Sequence, residues 1–181
     1  GYTGLWTAYY LKKADPSLNI VIVEKNFAGF GASGRNGGWL SGNFAWDHET
    51  YLTTGTAGQI KAMPAHFHAS VDDVILVTEA EDIEADIHRT EELSVATNPA
   101  QLARLHPEVA RLHHWGDPRS FVETAKQSQV RVNIPGALGA IVTPGVARIQ
   151  PAKLVRGLAD VVARMGVQIF EQTAADTIVA G

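Results

Sequence analysis

Hydrophobic and polar positions change period several times along the chain, and each change marks an element. Between Gly1 and Ser17, small or apolar residues at Gly4, Leu5, Ala8 and Tyr9 recur at helical spacing; Lys12 and Lys13 follow, and Asp15-Pro16 closes the run, so an amphipathic helix is predicted. Four consecutive β-branched residues, Ile20 to Val23, then predict a strand buried on both faces, as in a parallel sheet, with Glu24 at its carboxyl end. Helix, short turn, buried strand and terminal acid form the second half of a βαβ unit. Ile60, Met63, Phe67, Val71, Val74 and Ile75 recur every three or four positions and predict a helix that Pro64 kinks or starts. Glu92 to Thr97 alternates like a strand, and Asn98-Pro99 ends it before a helix over residues 100–105. From Arg131, Pro135-Gly136 and Pro144-Gly145 punctuate short apolar runs that read as strands or extended turns between domains. The last helix is the clearest: Pro151 suits its first position, Leu154, Leu158, Val162 and Met165 share a face, and Gly166 suits the position past its end. Val167 to Glu171 is predicted to be a strand.

One stretch fits neither period. Gly29 to Gly42 packs six glycines into fourteen residues, which argues against an ordinary helix or strand and for a loop whose backbone approaches a ligand. Ser33, Arg35 and Asn36 lie among the glycines, and that mixture suits an anion: amides form a concavity, a hydroxyl donates and a guanidinium grips. Trp39 and Leu40 follow directly, unlike a flexible linker; Trp39 either borders a ligand or packs the loop as a buried aromatic. If Gly1 and Gly4 are the second and third glycines of G-x-G-x-x-G, Glu24 falls twenty residues later, where a ribose-binding carboxylate is expected. Gly1 then lets backbone pass a pyrophosphate, the helix N-terminus offers free N–H groups, and Gly4 lets helix and strand pack closely.

Composition narrows the partners. The 181 residues are 45% hydrophobic with no cysteine, so a real core is expected and disulfides, thiolate metal sites and a cysteine nucleophile are excluded within this chain. Net charge is −4 and the pI about 6.0, which argues against nucleic acid and for a small-molecule ligand. No apolar run reaches transmembrane length and no signal peptide pattern is present, so the default expectation is a soluble, cytoplasmic protein. Nine carboxylates against one arginine between Asp72 and Glu92 read as a solvated helix face and loop. His66-Phe67-His68 and His113-His114 place neighbours apart on a helix, so no metal site is expected and the imidazoles read as surface or partly buried.

Three segments together resemble the FAD-dependent D-amino-acid oxidase (DAO) superfamily: Gly1-Tyr2-Thr3-Gly4, Val21-Ile22-Val23-Glu24-Lys25, and Gly31-Ala32-Ser33-Gly34-Arg35-Asn36-Gly37-Gly38. Within it the chain is most similar to the gamma-glutamylputrescine oxidoreductase branch, with glycine and sarcosine oxidases as relatives. The resemblance implies an α/β fold: a Rossmann-like FAD-binding domain (GR2-type flavoprotein) over residues 1–45 and 147–181, with part of an α+β substrate domain over 46–146. It implies FAD, non-covalent because the loop has no histidine or cysteine, with Gly1, Tyr2 and Gly4 at the pyrophosphate and Glu24 on the adenosine ribose. Ser33, Arg35, Asn36 and Gly37 would run towards the flavin ring, with Lys25 and Gly34 in the same motifs and Ala175 as a backbone contact near adenine. Glu91 stands where relatives carry a glycine. Implied also is oxidation of a C–N bond in an amine or amino acid to an imine, with oxygen or another electron acceptor; no catalytic group is named. The chain reads as a fragment lacking the first strand and a C-terminal part, so residues 1–181 alone are expected to be poorly stable, to bind FAD weakly and to be inactive. Two rivals use the same residues: a non-catalytic nucleotide-binding or assembly subunit, and an NAD(P)-dependent dehydrogenase, which gives no reason for the Ser33–Gly38 loop.

Overall fold

In the computed structural model, which describes residues 1–179, the chain divides into two compact units. The first comprises residues 1–39, 75–87 and, among the described residues, 148–179; the second comprises 40–74 and 88–147. The division differs from the sequence reading at three places: residues 40–45 and 147 fall in the second unit, and residues 75–87 fall in the first.

In the first unit, α1 (Tyr2–Ala14) buries Leu5, Ala8 and Tyr9. Lys12 is buried beside them, its ammonium donating to the carbonyls of Pro16 at 2.8 Å and Leu18 at 2.9 Å, which fastens the turn after the helix. Strand β1 (Val21–Val23) follows and pairs in parallel with β6 (Gln168–Phe170), as expected of a parallel sheet. The strand is not buried on both faces, however. Register places Val21 and Val23 on the same face as Gln168 and Phe170, and no described element covers that face, leaving Val21 51% and Val23 49% exposed. Helix α6 (Pro151–Arg164) forms as its pattern demands, with Leu154, Leu158 and Val162 buried and Gly166 turning the chain at φ +88°.

The Gly29–Gly42 stretch is not all loop: Ala32–Arg35 makes one helical turn (α2) and Trp39–Leu40 a short strand (β2). Asn36 makes this possible. Its amide nitrogen donates to the carbonyls of Ala32 and Ser33 at 3.2 and 3.1 Å, and its oxygen accepts from the Gly38 amide at 2.8 Å, so one side chain closes the turn and aims the exit.

In the second unit, β5 (Gly139–Arg148) is the hub: β4 (Phe121–Thr124) pairs antiparallel with it, Phe121 opposite Val142, and β5 also lies between β2 and β3 (His88–Ala96). The strand continues through Pro144-Gly145, where Gly145 adopts φ +80° at no Cβ cost and the Arg119 guanidinium packs against it. Helix α4 (Pro99–His114) extends well beyond residue 105, past Pro107; Asn98 caps it by accepting from the Gln101 amide at 2.9 Å. Its Leu105 and Val109 meet Ala96 and Ile141 in a small core. A helix absent from the sequence reading, α5 (Ala125–Arg131), starts with a reciprocal capping box between Thr124 and Gln127. Helix α3 (Ala57–Ala80) contains Pro64 within its span rather than starting there, and buries Ile60, Val71 and Ile75.

Candidate functional site

The N-terminus of α1 gathers the sequence-predicted residues of the first unit. A helix leaves its first N–H groups without intrahelical acceptors, and α1 has no side-chain cap of its own. The Tyr2 amide instead donates to Ser33 Oγ, 31 positions away, at 3.2 Å. That bond uses one acceptor lone pair of the hydroxyl and leaves its proton free to donate. Gly1 lies so close that a Cβ there would meet Ser33 Oγ at 2.8 Å, which accounts for a glycine where loop and helix touch. On the other side, Glu24 holds a carboxylate oxygen 3.6 Å from the Gly1 nitrogen. Its second oxygen accepts from the Asn26 amide at 3.0 Å, fixing the side chain at the end of β1. The Tyr2 phenol donates to the Pro151 carbonyl at 2.9 Å; burial pushes its pKa up to about 12, so it stays a donor and ties α1 to the start of α6.

The glycines fall into two groups by what a Cβ would meet. At Gly34 it would strike the Gly29 carbonyl, and at Gly38, with φ +76°, the Ile149 carbonyl, so these glycines are required by the protein's own packing. At Gly4 and Gly31 it would meet nothing within 4 Å, and at Gly37 only the Trp39 ring, 3.9 Å away. Those three backbones face open space beside the helix N-terminus and the loop. The close helix–strand approach expected at Gly4 is therefore not made among the described residues. Gly31, left out of the sequence candidates, belongs with the open group.

The other candidates are less tightly gathered. Arg35 lies over the Phe30 ring, its guanidinium carbon 4.2 Å from the centroid, which holds the charge at the loop surface. Asn36 is spent on the loop's own backbone. Lys25 is exposed just past β1; Ala175 is exposed two residues after Thr173, whose amide donates to the Glu24 carbonyl at 2.9 Å. Trp39 is 74% exposed, which removes the buried-aromatic reading. His66 is exposed while His68 turns to Asp117 and Arg119, so the i,i+2 pair diverges. Among the described residues no helix is long and apolar enough to cross a membrane.

Helix N-terminus, hydroxyl, strand-end carboxylate and open glycines are the donor and acceptor set that a dinucleotide's pyrophosphate and ribose require, so the residues present fit such a group. The protein-family model described as "FAD dependent oxidoreductase" (DAO) matches residues 1–181. Gamma-glutamylputrescine oxidoreductase of Escherichia coli (strain K12) is 27% identical over 178 residues, 98% of this chain and 41% of that protein. Among solved structures, L-alpha-glycerophosphate oxidase from Mycoplasma pneumoniae with FAD bound superposes with a TM-score of 0.74 at 17% identity, over 98% of this chain and 44% of that one. Glycine oxidase from Bacillus cereus ATCC 14579 superposes with a TM-score of 0.70 at 19% identity, covering 98% and 45%. The chain thus spans less than half the length of each of these proteins, and it shares the mixed, Rossmann-like α/β fold of the two solved structures. The chain belongs to the DAO family of FAD-dependent oxidoreductases.

Proposed function

We propose that the protein containing this chain is an FAD-dependent oxidoreductase acting on the C–N bond of an amine or amino acid, and that the first unit holds the adenosine and pyrophosphate part of FAD. The observation that carries this reading is the meeting of the Tyr2 amide, Ser33 Oγ and the Glu24 carboxylate at the α1 N-terminus, beside glycines that no protein atom crowds. The amides of Tyr2, Thr3 and Gly4 and the Ser33 hydroxyl would donate to phosphate oxygens, with Gly1 admitting the close approach. Glu24 would accept from ribose hydroxyls, and the Ala175 backbone would lie by adenine. Gly34 and Asn36 keep the loop in shape, while Gly37, Arg35 and Lys25 offer an open backbone and two charges along the cofactor's path. Bound there, the flavin would accept a hydride from the carbon beside the amine nitrogen, leaving an imine for water to hydrolyse and passing its electrons to oxygen or another acceptor.

Fold likeness alone does not choose the bond oxidised; the amine reading follows the relative with the higher sequence identity, 27% against 17% and 19%. The flavin is proposed to be non-covalent, since residues 29–42 contain no histidine or cysteine. The first unit is proposed as the FAD-binding part and the second as part of a substrate domain. The test is the absorbance spectrum of the full-length protein purified without added cofactor, repeated anaerobically with gamma-glutamylputrescine, sarcosine and glycine. A flavin band bleached by one of them is the expected result. A band that none of them bleaches favours the non-catalytic nucleotide-binding rival, and tight NAD(P) binding without flavin would overturn the cofactor assignment.

A further inference from the structure

The second unit carries a half-open cavity of about 440 Å³ that no part of the cofactor reading uses. Its wall is partly aromatic, with Phe44, Trp46 and His48, and partly polar, with Asn43, Glu92 and Arg111. His48 does not fit the expectation of surface or partly buried imidazoles: it is 4% exposed, stacked on Trp115 at 5.6 Å between centroids and tilted against Phe44 at 4.4 Å.

Two features of the lining ask for a ligand. First, Arg111 Nη1 sits 3.0 Å from His48 Nδ1. A guanidinium can only donate, so Nδ1 accepts and the ring proton is on Nε2. Among the described residues that Nε2–H has no acceptor, although its ring lines the cavity. Burial, then the Arg111 charge, also lower the His48 pKa, which keeps this neutral tautomer in place. Second, charge in the lining is unbalanced. Arg111 is engaged by Glu108 through two bonds, Nε to Oε2 at 3.0 Å and Nη2 to Oε1 at 2.7 Å. Glu92 has no cation among the described residues; its one partner is the Asn43 amide, at 3.4 Å. Asp47, 3.6 Å from Arg111 at the exposed mouth, adds to the negative side.

An uncompensated carboxylate beside aromatic faces attracts an organic cation, and a ring N–H that opens onto the cavity without a protein acceptor can be met by a carbonyl or hydroxyl on the same molecule. We propose that this cavity recognises an alkylammonium that also carries a hydrogen-bond acceptor, the ammonium facing Glu92 and the acceptor taking the His48 Nε2 proton. Its role as the substrate's recognition site rests on the amine-oxidation reading above; the binding itself does not.

Three probes separate the two contacts: N-(4-aminobutyl)acetamide has both groups, butylamine lacks the acceptor and N-butylacetamide lacks the charge. Affinities are measured by calorimetry on the flavin-loaded full-length protein, reduced beforehand so that nothing turns over. The first probe is expected to bind several-fold more tightly than butylamine, in line with one neutral hydrogen bond of about 1 kcal/mol. Glu92→Gln should weaken it about tenfold or more, as loss of a charged partner does, and leave N-butylacetamide unchanged. Glu92→Asp, which keeps the charge, should retain most of the affinity and guards against misfolding of the amide variant. Equal binding of the charged and uncharged probes, or an affinity indifferent to Glu92→Gln, overturns the proposal. Reduction of the oxidised flavin is scored separately. Glu92-dependent binding with no flavin reduction by any amine keeps the cavity site and defeats the oxidation reading; reduction with Glu92-independent binding does the reverse.

Discussion

The unit around α1 and the unit around β5 hold their polar groups by different means. In the first, the groups at the candidate site are mostly main chain: the Tyr2 amide, the Gly29 and Ile149 carbonyls against which Gly34 and Gly38 fit, and the Glu24 carboxylate steadied by the Asn26 amide. In the second, they are side chains: His48 on Arg111, Arg111 on Glu108, and His68 between Asp117 at 3.2 Å and Arg119 at 2.6 Å. All seven histidines of the chain fall in the second unit. A site made of backbone should fail when a methyl group is added, whereas one made of side chains should fail when a proton is.

The largest contrast is expected from Gly34→Ala. The added Cβ would fall on the Gly29 carbonyl, with both partners being main chain and unable to swing aside. Overpacking of this kind costs about 1–3 kcal/mol, to be read as a lowered urea midpoint, and flavin content should fall with it. Glu92→Gln, a change of side-chain charge in the other unit, should stay within about 0.5 kcal/mol of the parent in the same assay. Equal midpoints for the two variants would erase the distinction.

Acid should reverse the order of sensitivity. Burial first, and then Arg111 for His48 or Arg119 for His68, hold both imidazole pKa values below the ordinary 6.5. A histidine with a depressed folded pKa stays neutral in the native state while the unfolded chain takes up the proton. Its contribution is therefore intact above the ordinary value and is lost as pH falls from about 6.5 towards the folded pKa. Asp117 and Glu108, whose pKa values are lowered too, withdraw their contribution only at lower pH, as the carboxylates protonate. Amide exchange compared at about pH 7.5 and 5.5, corrected for intrinsic rates, should show protection lost in residues 40–74 and 88–147 and kept in residues 1–39. Uniform loss across both units would break the contrast.

The same difference decides what the sequence could reveal. Helix α6 was readable because Leu154, Leu158 and Val162 recur at its own period and Gly166 ends it, all within sixteen residues. The glycine loop was readable because glycine spacing and the distance to Glu24 are local facts, even though the turn at Ala32–Arg35 depends on Asn36 reaching back to two carbonyls. Helix α5 carries a local signal, the Thr124-x-x-Gln127 capping signature, but it opens only seven helical residues with no long apolar period behind it. Strand β5 was obscured by Pro144-Gly145: local chemistry says turn, and pairing with neighbouring strands overrode it. The cavity had no local signal at all. Phe44, Glu92, Arg111 and Thr143 come from four distant segments, and the burial of His48 depends on Trp115, 67 residues away.

The smallest expected effect on stability tests the backbone-made site most directly, because its sign differs from that of ligand binding. Gly4 sits in the first turn of α1 with nothing within 4 Å of where a Cβ would be. Alanine loses less backbone entropy than glycine in a helix, so Gly4→Ala should leave stability unchanged or raise it by up to about 1 kcal/mol. If that open space exists only because the protein folds that way, flavin content should follow stability and hold or rise. If it is where the pyrophosphate passes, the methyl group meets the cofactor, and flavin retained on purification should fall while the cofactor-free melting temperature does not. A variant that gains stability and keeps its flavin would remove Gly4 from the site. One that gains stability and loses flavin would separate a glycine kept for a ligand from Gly34, a glycine kept for the fold.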